Sequence, residues 1–488
     1  MTQQFDLIVI GSGPAGRRAA VQAAKLKKSV LVIEKGRRVG GVCVHTGTIP
    51  SKTLRETVLN LSGWRERGFY GAGHRNKENI TAADLRQRLH ITLNHEVEVL
   101  EHQFARNGVA CLTGQARFLD PHTVEITNDS GDVRHARGEK IIVAVGTAPY
   151  RPEHIPFDGE TIVDADEILD LKKLPHSLAV IGASVIGVEY ATIFSALDVK
   201  VTIVEPNHGM LGFIDAELIE EFTHDLRDRG VSLRFRSKAE TIECAGSRCV
   251  VRLEDRRQIT ADMALFAAGR VGATAALNLS AAGLAADVRG RISVDKMTFA
   301  TGVSHIFAVG DVIGFPSLAS TSMEQGRIAA CRAFDEPAPA APEFFPYGIY
   351  SVPEMSTIGM TEEQVRENGL AYEVGVARFR ETSRGHIMGL RSGFMKMIFS
   401  LDSRKLLGVH IVGEGATELI HIGQAVLNLG GGLDYFVENT FNYPTLAEAY
   451  KIAALDAFNR MPVREPVGVR ELRDLAERAG ARIAKAVG

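Results

Sequence analysis

The residues best equipped for chemistry lie between Gly40 and Lys52, in the run Gly-Gly-Val-Cys-Val-His-Thr-Gly-Thr-Ile-Pro-Ser-Lys. Cys43 brings a thiol, Thr48 a hydroxyl and Lys52 a cation. A threonine cannot form a disulfide, so the run holds no dithiol couple. Cys43 is then a small packing residue or a lone thiol. Lys52 is a cation of the site or a first-turn helix lysine in solvent. His45 reads as a loop residue. The other cysteines (Cys111, Cys244, Cys249, Cys331) are scattered, which suits a reducing cytoplasm and gives no disulfide framework. Cys244 and Cys249 lack zinc-site spacing, and no metal is expected.

The elements that must position this run come first in the chain. Phe5–Ile10 reads as a strand, Ala19–Leu26 as a helix and Val30–Ile33 as a second strand ending at Glu34, with Gly11-Ser12-Gly13-Pro14-Ala15-Gly16 between strand and helix. In such a βαβ unit Gly11 makes the tight turn, Gly13 lets the backbone approach a pyrophosphate, and Gly16 lets the helix pack on the strand. Ser12 and Lys35 flank the cradle, and Glu34 is placed for ribose hydroxyls. The pattern repeats in the strand Ser177–Ile181, the loop Gly182-Ala183-Ser184-Val185-Ile186-Gly187, the helix Val188–Leu197 and the strand Val201–Val204 ending at Glu205. Two such units imply two dinucleotides, or one cofactor and one substrate. Ser184 stands where the second glycine belongs, and its Cβ is expected to crowd the closest approach to a pyrophosphate.

Helices are expected over Thr53–Trp64 and Ala82–Arg106, and strands over Val109–Phe118 and Thr123–Thr127. Ile141–Val145 leads into Gly146-Thr147-Ala148-Pro149, and the β-rich Val231–Gly269 ends at Gly269-Arg270. His305–Val309 returns as a strand before Gly310-Asp311, and a helix is expected over Thr321–Phe334. A Pro/Ala-rich linker runs from Glu336 to Pro342. Beyond it come strands Glu373–Arg378, Phe394–Phe399 and Leu406–Val412, then helices Ala416–Leu429 and Thr445–Asn459. A charged segment, Arg470–Lys485, reads as helical. The fold class is α/β, with two Rossmann-like dinucleotide-binding domains and a C-terminal α/β domain. The expected division is 1–150 and 276–335 for the first nucleotide domain, 151–275 for the inserted one, 343–462 for the C-terminal domain and 463–488 for a helical tail.

A formal charge of −3 over 488 residues gives no basic footprint, which argues against nucleic acid. No apolar run approaches the roughly 18 residues that span a bilayer, and Met1–Asp6 lacks the charged and apolar regions of a signal peptide.

Taken in this order, the two loops, the Gly40–Lys52 run, Gly310-Asp311 and the C-terminal α/β domain resemble the flavoprotein disulfide reductase family, which includes dihydrolipoamide and glutathione reductases. In that family the run reads Gly-Gly-x-Cys-x4-Cys-x-Pro-x-Lys, and Thr48 replaces its second cysteine. The family's C-terminal His-Pro-Thr-x-x-Glu motif supplies a base to the partner's site. Here it reads Tyr443-Pro444-Thr445-Leu446-Ala447-Glu448, with a phenol where the imidazole belongs. Both elements of thiol chemistry are missing together. That combination, with Gly314-Phe315-Pro316-Ser317-Leu318-Ala319 and Glu324-Gln325-Gly326-Arg327, is similar to a branch that exchanges hydride between pyridine nucleotides.

The resemblance implies noncovalent FAD, a homodimer, and ping-pong hydride transfer between NADPH and NAD+ through the flavin. It implies a Lys52–Glu189 pair beside the flavin, with Thr48, Cys43 and Tyr443 also at the reacting centre. Cofactor contacts extend to Gly41, Val42, Ala116, Gly146, Thr147, Gly310, Asp311, Leu318 and Ala319. Those to the nucleotide substrate include Gly182, Ser184, Ile186, Gly187, Glu189, Glu205, Gly269 and Arg270. Two other functions fit the residues: an NADH-dependent diaphorase or oxidase serving a quinone, dye or oxygen, and a non-catalytic flavin-binding module if Ser184 abolishes nucleotide binding. Glu205 suits the ribose of NAD and repels a 2′-phosphate. It is followed by Pro206, Asn207 and His208 rather than an arginine, and Ala273 stands where relatives often carry asparagine. NADH is therefore expected to be favoured over NADPH, with a protonated His208 the only nearby help for a phosphate.

Overall fold

A computed structural model describes residues 2–246, 248–340 and 343–462. The first sheet is built on a parallel core in which Gln3–Ile10 lies between Val30–Glu34 and Val133–Val143. Ala110–Thr113 extends one edge in parallel, and the antiparallel strands Thr123–Thr127 and Gln115–Phe118 extend the other. The central strand Gln3–Ile10 ends in residues buried on both faces, as a helix-covered parallel strand must. Ile306–Ala308 also pairs in parallel with Val133–Val143, although more than 160 residues intervene. The chain therefore leaves this sheet, builds a second unit and returns.

The second unit is a five-stranded parallel sheet in the order Ser232–Phe235, Lys200–Glu205, Ser177–Ile181, Met263–Phe266, Ile162–Asp164. A three-stranded antiparallel sheet, Ala239–Ala245, Arg248–Leu253 and Gln258–Ala261, leans on it. Arg270–Gly272 pairs antiparallel with Thr147–Pro149 and ties the outgoing and returning chain together. Beyond the linker, an antiparallel five-stranded sheet in the order Tyr347–Ile349, Met355–Gly359, Leu406–Val412, Phe394–Ser400, Tyr372–Arg378 carries the helices Ala416–Asn428 and Glu448–Arg460.

Several expected boundaries move for physical reasons. The first helix runs Pro14–Lys25 rather than beginning at Ala19, because proline at the first helical position costs no hydrogen bond and presets φ. The Gly40–Lys52 run is itself helical, as Gly41–His45 and Thr48–Leu61, since Pro50 falls in a first turn where its missing N–H is harmless. The single strand expected over Val109–Phe118 is two strands. Gly114, at φ +158, breaks it and donates its N–H to the Glu34 carbonyl at 2.9 Å. The last helix begins at Glu448, because Thr445 folds its hydroxyl back onto the Asn442 carbonyl in a turn. The segment Arg470–Lys485 lies outside the described residues.

A buried charge cluster fixes the second unit against the C-terminal sheet. Lys396, on strand Phe394–Ser400, is 1% exposed and bonds Asp215 at 2.9 Å, Glu217 at 3.1 Å and Glu362 at 2.5 Å. Asp215 caps the helix Ala216–Asp228 and also accepts from the Glu362 N–H at 3.1 Å. Burial raises the carboxyl pKa of Asp215 and Glu362, yet their hydrogen bonds and nearby positive charge pull both below the usual range. Their contribution to stability is full above the unfolded carboxylate range and is lost as pH falls through the lower folded values. Lys396→Met should cost about 3–5 kcal/mol, because it leaves Asp215 buried and unpaired. Denaturant unfolding measures this, and Asp215→Asn added to Lys396→Met should recover part of the loss.

Candidate active site

The two glycine loops are built alike. Gly11 sits at φ +101, where a Cβ would fall 2.4 Å from the Ala144 carbonyl oxygen. A Cβ on Gly16 would fall 1.9 Å from the Gly11 oxygen, so the helix lies directly on the loop. No side chain caps the helix at Gly13, which leaves its first N–H groups for an incoming acceptor. Glu34, 8% exposed, accepts from the Ser12 N–H at 2.9 Å and hydroxyl at 2.5 Å through one oxygen, and from the Gly36 N–H at 2.8 Å through the other. It opens on a recess of about 290 Å³ shared with Arg38, Cys111 and Thr113.

In the second loop Gly182 sits at φ +103, and a Cβ on Gly187 would fall 2.0 Å from the Gly182 oxygen. Glu205, 7% exposed, accepts from the Ala183 N–H at 2.7 Å and the Asn207 N–H at 3.0 Å, repeating the arrangement of Glu34. Ser184 does not distort this loop. Its φ of −75° and ψ of 177° match Gly13 at −62° and −175°, and its hydroxyl turns away to the Ala267 carbonyl at 3.3 Å. The second position of the motif is thus demanding for a ligand's sake and not for the backbone's.

Between the units runs one cleft of about 2030 Å³, large against the roughly 300–1,000 Å³ of an ordinary ligand pocket. It brings together Val42, Cys43, Thr48, Lys52, Thr147, Ser184, Ile186, Glu189, Glu205, Gly269, Arg270, Asp311, Leu318 and Ala319. Cys43 and Thr48 line this cleft together, and burial raises the Cys43 thiol pKa above its ordinary value, so Cys43 stays protonated at neutral pH. Lys52 Nζ donates to both Glu189 oxygens, at 2.8 and 2.7 Å, joining the helix Thr48–Leu61 to the helix Val185–Ser195. Glu189 also accepts from the Tyr350 N–H at 2.9 Å, and the Tyr350 ring lies 4.8 Å from Lys52 Nζ. Arg270 grips the Thr147 hydroxyl at 2.9 Å and carbonyl at 3.0 Å, and reaches Asp166 at 3.3 Å. Burial raises the Asp311 carboxyl, with Arg270 opposing it. Gly310 donates to the Gln325 side chain at 2.8 Å, which seats Asp311 over the helix Ala319–Ala333.

The remaining expected residues lie elsewhere. Gly41 packs on Gly13, where a Cβ would come within 2.8 Å of the Gly13 α-carbon, and Gly146 turns the chain at φ +64. Lys35 is exposed beside Glu34. Ala116, 2% exposed, pairs with Ile126 in the core and lines neither recess. Tyr443 is 69% exposed, outside its own chain's cleft, with its hydroxyl 2.5 Å from that of Ser383. His45 is helical and bonds the Val39 carbonyl at 3.0 Å. Sequence reasoning missed Tyr350, whose link to Glu189 crosses some 160 residues with no motif to announce it. It also missed Asn207 as a partner of Glu205, although an asparagine just past a strand-end acid was the available signal.

The chain belongs to the pyridine nucleotide-disulphide oxidoreductase family, whose description matches residues 5–326, with its dimerisation domain matching residues 345–454. Within that family it is 50% identical over 460 residues to the soluble pyridine nucleotide transhydrogenase of Mycobacterium tuberculosis, covering 94% of this chain and 98% of that one. It is 41% identical over 461 residues to the protein of the same name from Colwellia psychrerythraea, with the same coverage. Among solved structures, the HOCl-induced flavoprotein disulfide reductase RclA from Escherichia coli superposes with a TM-score of 0.83 at 28% identity, over 92% of this chain and 99% of that one. LpdA from Mycobacterium tuberculosis shares the fold with a TM-score of 0.85 at 24% identity, over 93% of this chain and 99% of that one.

Among the described residues, Lys52 is the one cation that both faces this cleft and neutralises a carboxylate as buried as Glu189, which is 4% exposed. Lys52→Met should slow hydride transfer to the bound flavin by about 10²–10³, the order expected when a preorganised charge is removed. Anaerobic stopped-flow loss of flavin absorbance reads this directly. Glu189→Gln should have a smaller effect, since the lysine remains.

Proposed function

We propose that this oxidoreductase binds FAD noncovalently and transfers hydride between NADPH and NAD+, as a homodimer in the cytoplasm. Both glycine loops fit dinucleotides: their helix N-termini are open, their strand-end acids are held by loop amides, and no side chain fills either cradle. The first unit, with Gly11, Ser12, Gly13, Gly16 and Glu34, would hold the FAD, its adenosine end in the recess beside Glu34. The second unit, with Gly182, Ser184, Gly187 and Glu205, would hold whichever nicotinamide nucleotide is in residence. Domain limits of 1–150 with 276–335, 151–275 and 343–462 follow from this division of labour.

The observation that carries the reading is that the cleft presents Cys43 with Thr48 instead of a second cysteine. One thiol and one hydroxyl line the place where a disulfide relay needs two sulfurs, and burial keeps the thiol pKa up. The flavin, when bound, supplies a centre that takes a hydride from one nicotinamide and returns it to another, so donor and acceptor use one site in turn. The chain's own residues position and stabilise. Lys52, fixed by Glu189 and covered by Tyr350, holds positive charge at the meeting point of the two units. Arg270, fixed on Thr147, closes the seam between them. No proton has to leave a substrate thiol, which explains why Tyr443 suffices where a base would otherwise stand.

NADPH should reduce thionicotinamide-NAD+ under anaerobic conditions, followed by thionicotinamide absorbance. Dye or oxygen reduction without that transfer would select a diaphorase instead. Turnover of dihydrolipoamide or glutathione should be undetectable. A reductive titration should take up one two-electron equivalent per flavin; a second equivalent would reveal a thiol couple and overturn the reading.

A further inference from the structure

We infer that Arg236, backed by His208, is the recognition element for the 2′-phosphate of NADP(H), set beside Glu205 so that one ribose site accepts both nucleotides. The inference rests on the transhydrogenation reading and supplies what that reading lacks, a cation at the end of strand Lys200–Glu205. Rossmann units meet the adenosine ribose there in one of two ways: an acid for the free 2′-hydroxyl, or an arginine nearby for the 2′-phosphate. This chain has both. The arginine comes not from the residues after Glu205 but from the end of the neighbouring strand, Ser232–Phe235.

Three features bring it there. The loop after that strand is pinned to the acid's own loop, with the Arg236 N–H donating to the Asn207 carbonyl at 2.9 Å and the Ser237 N–H to the Glu205 carbonyl at 3.1 Å. Arg236 itself takes a left-handed backbone, φ +52, which turns its side chain out of the strand path. Its Nε donates to His208 Nδ1 at 2.8 Å, and His208, Asn207 and Glu205 all line the cleft. This is the guanidinium's one hydrogen bond among the described residues, so both Nη groups keep their donors free for a phosphate. Because Nδ1 accepts, the neutral imidazole carries its proton on Nε2 and offers a second donor at the same rim.

Glu205, like Glu34 with its two amides and the Ser12 hydroxyl, accepts three hydrogen bonds, here from the Ala183 and Asn207 amides and from the Asn207 side chain at 2.6 Å, and these disperse its charge. A carboxylate held in this way still accepts from a ribose hydroxyl and opposes a neighbouring phosphate less than a bare one. The expectation that Glu205 favours NADH over NADPH took account neither of these donors nor of an arginine that sequence distance concealed.

The test uses the flavin-loaded enzyme and the nucleotide fragments 2′,5′-ADP and 5′-AMP, which bind without transferring hydride. Arg236→Asn suits the left-handed backbone. It should weaken 2′,5′-ADP by about tenfold or more while leaving 5′-AMP within about twofold, by calorimetric titration. Arg236→Lys should keep part of the difference, as a point charge without the guanidinium fork. Retained flavin absorbance and 5′-AMP binding report that the variants are folded. Equal loss of both fragments, no loss of either, or a native enzyme that does not bind 2′,5′-ADP would each overturn the inference. A native enzyme that binds 2′,5′-ADP through Arg236 yet fails to reduce thionicotinamide-NAD+ with NADPH would refute the transhydrogenation reading alone.

Discussion

The bond between Lys52 and Glu189 is the constraint on which the arrangement of this molecule turns. Glu189 is a carboxylate on an otherwise apolar helix, 4% exposed. An unpaired charge in such a place is not tolerated, so it must be met. It is met from two directions, by an ammonium from the first nucleotide unit and by the Tyr350 N–H from the C-terminal sheet. Three parts of the chain that are remote in sequence therefore have to close on one another before the carboxylate is satisfied. The surface they close around is the cleft. Assembly of the fold and assembly of the site are the same event here, and the cation left facing the cleft is a by-product of satisfying a buried anion.

Around that point the molecule uses one device twice. In each unit an acid at the end of the second strand is locked by one amide of the glycine loop and one of the turn that follows the acid, which fixes both the loop and the acid before any ligand arrives. The copies differ in what lies beyond the acid. Past Glu34 the chain folds a small recess against a long helix, the setting for a group that stays. Past Glu205 the surface remains part of the broad cleft, the setting for a group that comes and goes. On the proposed reading, nearly equal backbones would serve a resident cofactor and an exchanging substrate, with exposure separating the two roles.

Much of this was legible in the sequence because it is local. A strand, a glycine loop, a helix and a terminal acid announce themselves within one short window, and both units carry all four. The inserted second unit could be inferred from Gly310-Asp311 resuming the first pattern. What escaped was decided by pairing across distance or by a single backbone angle. Gly114 splits a strand that reads as continuous, because its N–H is claimed by the Glu34 carbonyl. The helix expected from Thr53 begins at Thr48, with Pro50 in its first turn. Ser184 keeps the backbone angles of a glycine at that position, and its hydroxyl turns to the Ala267 carbonyl just past another strand, a partner no local motif announces. Tyr350 belongs to the same class: its N–H reaches Glu189 across some 160 residues with no motif to announce it.

The paired replacements at Thr48 and Tyr443 follow from one chemical requirement. A disulfide relay needs a second sulfur to receive electrons and a base to take the proton that leaves a thiol; hydride exchange between nicotinamides needs neither. Once the sulfur at position 48 is gone, a base at 443 has no proton to take, and its neighbours lose their purpose with it. The geometry agrees. Tyr443 bonds Ser383 at the exposed surface, while Glu448, five residues on, keeps Oε2 buried without a hydrogen-bond partner among the described residues. A buried carboxylate oxygen with nothing to orient is costly to maintain. What the cleft retains in place of the relay is a protonated thiol, a hydroxyl and a fixed cation, a set that can hold charge steady while a hydride passes and can do little else.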